Sequence, residues 1–460
     1  MIETGHFAAE AWNAIGGDHR LLECLRPMEP PVALPSRLNV IGLAHDSVSV
    51  SILALHEARV SRGLADDIAP VRVQPDRLVT SIRSERHFTI DGKTPDAWAA
   101  LSGFFRTADG WVRTHGNYPH HAERLRRLLG LPTDATKDEA AETFLKKDAQ
   151  EIEDDAARAG AIAVRVREPE EWAAHPHAAH LRATPLCQLH EIGSADPRPW
   201  SPHPDHPLTG VRVLDLTRVI AGPVATRDLA FAGADVLRID TPTLPEVPWR
   251  HLDTGQGKRS TLLDLTAAAD RRTFDELLTT ADVVVTGYRP GSLDRLGLSP
   301  DELTDQHPGL IVAAVSAWGQ TGPWSDRRGF DSITQAASGI AMIESDDTRA
   351  PGALPAQALD HSAGHLLAAA ITRALLLQRA HGGSHTASIA LARVAQALLS
   401  GGHTDEKAHD TRATPTLQTG STEEGELVVA APVLTYDGAP TAYSEIGRPW
   451  ARDKPEWARS

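Results

Sequence analysis

Apolar positions follow two regimes along this 460-residue chain, with a change at Gly210. Beyond it they come in short continuous runs: GVRVLDLT, DVLRID, ADVVVTGY and GLIVAAVS read as strands covered on both faces. VATRDLAFAGA and TFDELLTT carry the helical period between them, so a βαβ unit opens at 210 and helices and strands alternate from there. The pattern predicts an α/β fold: a mostly parallel Rossmann-like sheet flanked by helices. In such a sheet a ligand is expected beyond the carboxyl ends of the strands, where the strand order reverses. A long apolar helix follows in AQALDHSAGHLLAAAITRALLLQRAHGG, residues 356–383.

The pattern before Gly210 is mixed and predicts a smaller α+β domain. SVSVSILALHEARVSRG reads as a helix, RLVTSI as a strand and DAWAALSGFF as a helix. HHAERLRRLLGL and KKDAQEIEDDAARAG read as amphipathic helices with charged outer faces. Proline-rich PMEPPVALPS (28–37) and SADPRPWSPHPDHPLTG (194–210) mark the boundaries. The expected units are an N-terminal helix and linker (1–37), a small-domain segment (38–205), the sheet domain (206–400) and an irregular extension (401–460).

A formal charge of −15 opposes non-specific nucleic-acid binding, which needs a basic surface, but leaves room for a small phosphorylated ligand held by a few arginines. No apolar run is long enough to span a bilayer, and the N-terminus lacks the basic-then-apolar order of a secretory signal. The two cysteines, Cys24 and Cys187, lie far apart, so neither a disulfide framework nor a thiolate metal site is expected. A cytoplasmic location is the default. The histidines in AAHPHAAH (His175, His177, His180) and HGNYPHH (His115, His120, His121) lack acidic or cysteine partners at ligand spacing. They read as solvated loop residues, and no metal is expected.

Asp240, an acid at the end of the second strand, suits a dinucleotide ribose. Yet the first turn is TRVIAGPVAT, without G-x-G-x-x-G, and the chain has no G-x-x-x-x-G-K-[ST]. Asp360, at the start of the long apolar helix, reads by itself as a helix cap.

Six blocks change that reading. They are GVRVLDLTRVIAGPVATRDLAFAGADVLRID, GKRSTLLDL, VVVTGYRPGSLDRLGL, SAWGQTGPW, GFDSITQAASG and LDHSAGHLLAAAITRAL. In this order, over about 207–400, they resemble the class III coenzyme A transferases, the family of formyl-CoA and carnitine-CoA transferases. The resemblance implies an acyl-CoA:carboxylate CoA-transferase with Asp360 as nucleophile, passing through an aspartyl mixed anhydride and an aspartyl-CoA thioester. It implies coenzyme A or acyl-CoA as substrate, no tightly bound cofactor, a small carboxylic acid as acceptor, and a homodimer.

The resemblance also implies a set of CoA contacts. Val219, Ile220 and Ala221 would line the adenine pocket, and Leu263, Asp264, Leu265 and Thr266 would follow the cations Lys258 and Arg259. Gly287, Tyr288, Arg289 and Arg295 would come next, with Arg328, Gly329, Phe330 and Asp331 beside the pantetheine arm. Cations are wanted because coenzyme A carries a 3′-phosphate and a pyrophosphate; Arg327 is a further candidate. Where relatives often have a basic residue after the second strand, this chain has Thr241, and Arg250 is a possible substitute.

The related α-methylacyl-CoA racemases use a histidine in a G-H-D block. Here the block is Gly329, Phe330, Asp331, and phenylalanine carries no proton, which disfavours racemization. Sequence resembling the family's small domain precedes the nucleophile instead of following it, as if the chain were permuted or partly duplicated. The N-terminal segment is therefore expected to cover the CoA site. The rearranged order also permits a catalytically inactive CoA-binding or scaffold protein.

Overall fold

A computed structural model describes residues 5–202, 204–346, 350–411 and 413–458; the first four residues of the N-terminal segment lie outside it. Seven strands form the main sheet: β1 (Cys187–Gly193), β2 (Arg212–Leu216), β3 (Asp235–Asp240), β4 (Arg259–Leu262), β5 (Val283–Thr286), β6 (Ile311–Ser316) and β7 (Ser384–Ala390). Their spatial order is β1-β7-β6-β5-β2-β3-β4. All neighbours are parallel except β1, which runs antiparallel along β7. The order reverses between β2 and β5, so a crevice opens beyond their carboxyl ends.

Alternate residues of the strands face two buried layers. Val213, Val283, Val285, Ile311 and Ala313 pack against helices Val40–Ser61, Ala221–Phe231 and Ala358–His381. Leu214, Leu216, Val284 and Val312 pack against Phe274, Leu277 and Leu303 of helices Ala268–Leu278 and Pro300–Gln306. Burial on both faces explains why these strands read as continuous apolar runs.

Helix Ala358–His381 is buried almost throughout, as expected of a helix apolar on all sides. It packs on helix Val40–Ser61 from the N-terminal half and on helix Ala221–Phe231. Gly364 sets the second approach: a Cβ there would lie 2.6 Å from the Ala221 carbonyl oxygen and 2.7 Å from Val224 Cβ.

The N-terminal half holds a three-stranded antiparallel sheet (Gly103–Arg106, Trp111–Thr114, Ala163–Arg165) under helices Pro119–Leu129 and Ala149–Ala159. Two expectations fail here. RLVTSI is helical up to Ser81, in helix Pro75–Ser81 with Ile82 as its cap, because Pro75 stands at the first turn with Asp76 beside it. DAWAALSGFF forms no helix. Residues 94–99 are irregular, and Gly103–Arg106 is a strand whose Phe105 packs on Phe144, ring centres 4.8 Å apart. Near the C-terminus, Leu417–Thr422 and Gly425–Ala430 pair as a hairpin, which Thr89–Ile90 extends.

Candidate active site

Two adjoining cavities share Val219 and Phe330 in their walls. The first, about 260 Å³, lies at the strand reversal: Arg218 and Val219 follow β2, Gly287 to Pro290 follow β5, and Ser316 and Ala317 end β6. Tyr118, His120 and His121 wall it from the N-terminal half, and Arg327, Arg328 and Gly329 complete it. Gly329 is required by contact, since a Cβ there would meet Ala317 Cβ at 2.5 Å.

Its charge is lopsided. Arg124, Arg289 and Arg328 form no ion pair among the described residues; Arg124 donates to the Gly160 carbonyl (3.0 Å) and Arg289 to that of Asp326 (2.7 Å). Burial first, then the like charges of Arg289 and Arg124, pull the Arg328 pKa down to about 10. Arg289 and Arg328 line the cavity and Arg124 stands behind them beside Arg328, so three unneutralised guanidinium groups call for an anion. Arg327 is committed elsewhere, to Glu153 at 3.2 Å.

Beneath this cavity lies a buried charge network. Glu246 accepts from Tyr118 Oη (2.6 Å) and Arg238 (3.0 Å), and pairs with Arg218 at 3.5 Å. Burial opposes its charge, but Arg238 and Arg218 hold its pKa at about 2. Glu246 thus sets both Tyr118 and Arg218, whose guanidinium lies 4.9 Å from the Tyr118 ring centre. It also accepts from the Val219 amide at 3.4 Å. Val219 has φ 75°, a left-handed conformation unfavourable for a β-branched residue, at the junction of the cavities.

The second cavity, about 340 Å³, contains Asp360. Helices Ser84–His87 and Pro248–Thr254 supply Glu85, Arg86, Trp249, Arg250 and Asp253; the irregular 94–98 segment and His115 close it. The N-terminal half therefore walls both cavities.

Asp360, only 6 % exposed, is not the helix cap. That role belongs to Asp331, whose Oδ2 accepts from the Leu359 (2.9 Å) and Asp360 (3.0 Å) amides, while the Gln335 side chain donates to its Oδ1. No hydrogen bond reaches the Asp360 carboxylate among the described residues. Burial, and then the Asp331 charge, raise its pKa well above the usual carboxylate range; Arg250 partly offsets this. His361, beside it, turns to Glu85, Nε2 to Oε2 3.4 Å. Asp253 accepts from Ser84 Oγ at 2.8 Å, and burial followed by Glu85 lifts its pKa to about 6.

The family-implied contacts divide. Val219, Gly287, Tyr288, Arg289, Arg328, Gly329 and Phe330 line the first cavity, and Ile220 lines the second. Ala221 and Asp331 are buried behind them. Lys258, Arg259, Leu263, Asp264, Leu265, Thr266 and Arg295 line neither. Lys258 is buried, its Nζ bonded to Thr226 Oγ1 (2.7 Å), the Pro223 carbonyl (2.8 Å) and Asp215 (3.3 Å). Arg259 pairs with Asp235 at the amino ends of the strands, away from the crevice. Leu263 and Leu265 belong to the core layer, and Asp264 closes a turn with Thr266.

Arg250, the substitute considered for the missing base at 241, lines the Asp360 cavity and not the first one. The reading of solvated histidines also needs correction: His115, His121 and His177 are buried, and His115 stacks on Phe330 with ring centres 3.8 Å apart. Sequence reasoning missed Arg124, Glu246, Trp98 and Glu85, which lie outside the six blocks, and Arg218, which lies within the first of them.

The sequence pattern of CoA-transferase family III matches residues 65–197 and 208–458. The chain belongs to CoA-transferase family III. Among curated relatives, a probable fatty acyl-CoA transferase of Mycobacterium tuberculosis is 35% identical over 209 residues, 43% of this chain and 53% of that protein. An acetyl-coenzyme A transferase of Hypoxylon pulicicidum is 32% identical over 268 residues, 53% and 44% of the two chains. The chain thus spans about half the length of these curated relatives. A crystal structure of a hypothetical protein from M. tuberculosis aligns at 34% identity and a TM-score of 0.40, over 42% of this chain and 57% of that one. No helix among the described residues is long and apolar enough to cross a membrane.

Proposed function

We propose that the protein is an acyl-CoA:carboxylate CoA-transferase with Asp360 as its nucleophile. One observation carries this reading: a buried carboxylate without hydrogen-bond donors stands in a cavity joined, across Val219 and Phe330, to an arginine-rich one at the strand reversal. The first cavity takes the phosphates and adenosine of coenzyme A on Arg124, Arg289 and Arg328. The pantetheine arm passes Val219, bringing the thioester to Asp360.

An Asp360 oxygen attacks the thioester carbon; the C–S bond breaks and CoA thiolate leaves, giving a mixed anhydride. The thiolate attacks Cγ of Asp360 and releases the donor acid, leaving an aspartyl-CoA thioester. The acceptor carboxylate attacks the same carbon and expels the thiolate. A final attack by thiolate on the acceptor's acyl carbon yields the new acyl-CoA and frees Asp360. No base is needed once Asp360 has ionised, since each nucleophile is then an anion; burial and the Asp331 charge raise the pH at which that happens.

The amides of Leu359 and Asp360, at the start of this helix, are occupied by Asp331. Ser332 Oγ, buried in the cavity wall without a partner, is the donor we assign instead. The family resemblance supports a homodimer, and the sparse, widely separated cysteines support a cytoplasmic location; both form part of the proposal.

Incubation with acetyl-CoA and hydroxylamine tests the reading. Mass spectrometry should find a hydroxamate on the peptide bearing Asp360, with release of free CoA. Retained CoA binding without a hydroxamate or acyl exchange would favour a CoA-binding scaffold.

A further inference from the structure

The second cavity also bears on which acid is transferred, an inference that rests on the reading above. Arg250 shares that cavity with Asp360, yet it forms no ion pair among the described residues. Nη2 donates to the Ala97 carbonyl at 3.2 Å, and the guanidinium lies 5.1 Å from the Trp249 ring centre; most of its donors are unused. The phosphates have their own arginines in the other cavity, so Arg250 is free for a different anion. Around it the wall is apolar, with Trp98, Trp249, Pro95 and Ala97, and Trp98 is 43% exposed. The remaining charges are mostly negative: Glu85 and Asp253 line the same space, against an exposed Arg86.

We infer that Arg250 binds the carboxylate of the acceptor acid, and that this acid is a monocarboxylate with an apolar body packed on Trp98 and Trp249. The chemistry requires such a cation. The acceptor must bring an anionic oxygen to Cγ of the aspartyl thioester, where a C–O bond forms, the C–S bond breaks and the electron pair leaves with CoA sulfur. A planar guanidinium holds a carboxylate through two parallel bonds and fixes the attacking oxygen. A second carboxylate at the far end of the acid would meet Glu85 and Asp253, and is disfavoured by like charge. An indole-lined wall recognises alkyl or aryl groups by burial.

The test is steady-state exchange from acetyl-CoA to phenylacetate and to succinate. Wild type should prefer phenylacetate. Arg250→Ala should raise its KM for phenylacetate about thirtyfold or more, leave the KM for acetyl-CoA within about threefold, and recover in part with added guanidinium. If Arg250→Ala fails to fold, Arg250→Lys carries the test, with a rise of about fivefold or more expected from the lost fork. An unchanged phenylacetate KM, or a wild-type preference for succinate, would overturn the inference. Hydroxylamine trapping with acetyl-CoA alone separates the two readings. A normal hydroxamate with an unchanged acceptor KM sinks only the role of Arg250, whereas no hydroxamate in wild type sinks transfer through Asp360.

Discussion

Asp360→Asn abolishes acyl exchange, by about 10⁴-fold or more, and at the same time makes the folded protein more stable at pH 8. Both effects have one cause. The fold buries a carboxylate, gives it no donor and sets it near Asp331, so its pKa is raised well above the usual range. For a carboxyl group the sign is unambiguous: the ionised form is worse placed in the folded chain than in the unfolded one. That cost is present in full above the raised pKa and vanishes below the unfolded value of about 4. The asparagine variant should therefore gain on the order of 1–3 kcal/mol at pH 8, read from denaturant midpoints, and lose its advantage as the pH falls. Exchange by wild type should rise with pH as Asp360 ionises. A variant as unstable as other core substitutions would show that Asp360 is structural.

Glu246→Gln should be among the most damaging single changes. The carboxylate is buried with Arg238 and Arg218 and accepts from Tyr118, so removing its charge leaves Arg238 with Asp240 as its remaining close acid. Breaking one partner of such a network costs about 3 kcal/mol or more. Tyr118 and Arg218 lose their anchor, so CoA affinity in calorimetry should fall as well. Here the linkage has the opposite sign to that of Asp360. The folded pKa is depressed to about 2, so the stabilisation is present above the unfolded value and is lost as pH falls toward about 2. Denaturant unfolding at pH 7 and pH 3 should show wild type losing its advantage over the variant; a constant difference would contradict this account.

The sheet domain was legible because its strands are buried on both faces and come as uninterrupted apolar runs bounded by turns. The small-domain strand and helix expected in RLVTSI and DAWAALSGFF failed where local pattern was outweighed: by a proline at a helix start, and by an aromatic segment serving as a cavity wall. Within the site, residues just beyond the carboxyl ends of strands, such as Val219 and Gly287, could be placed from their blocks. Lys258 could not, because nothing in GKRS shows that Asp215 and Thr226 already hold its ammonium. The Arg124 side chain reads in sequence as part of a wet helix face, and only the fold turns it toward Arg289 and Arg328. Asp331 lies 29 positions before Asp360, too far for a capping motif, yet it fixes the start of the helix that carries Asp360.

The most direct test follows the oxygen atoms. If Asp360 carries the acyl group, acceptor acid labelled with ¹⁸O in both carboxylate positions should leave one label in the Asp360 side chain after a single turnover, read as a gain of about 2 Da in its peptide. Product acyl-CoA formed from that acid while the Asp360 peptide keeps its original mass would contradict the account.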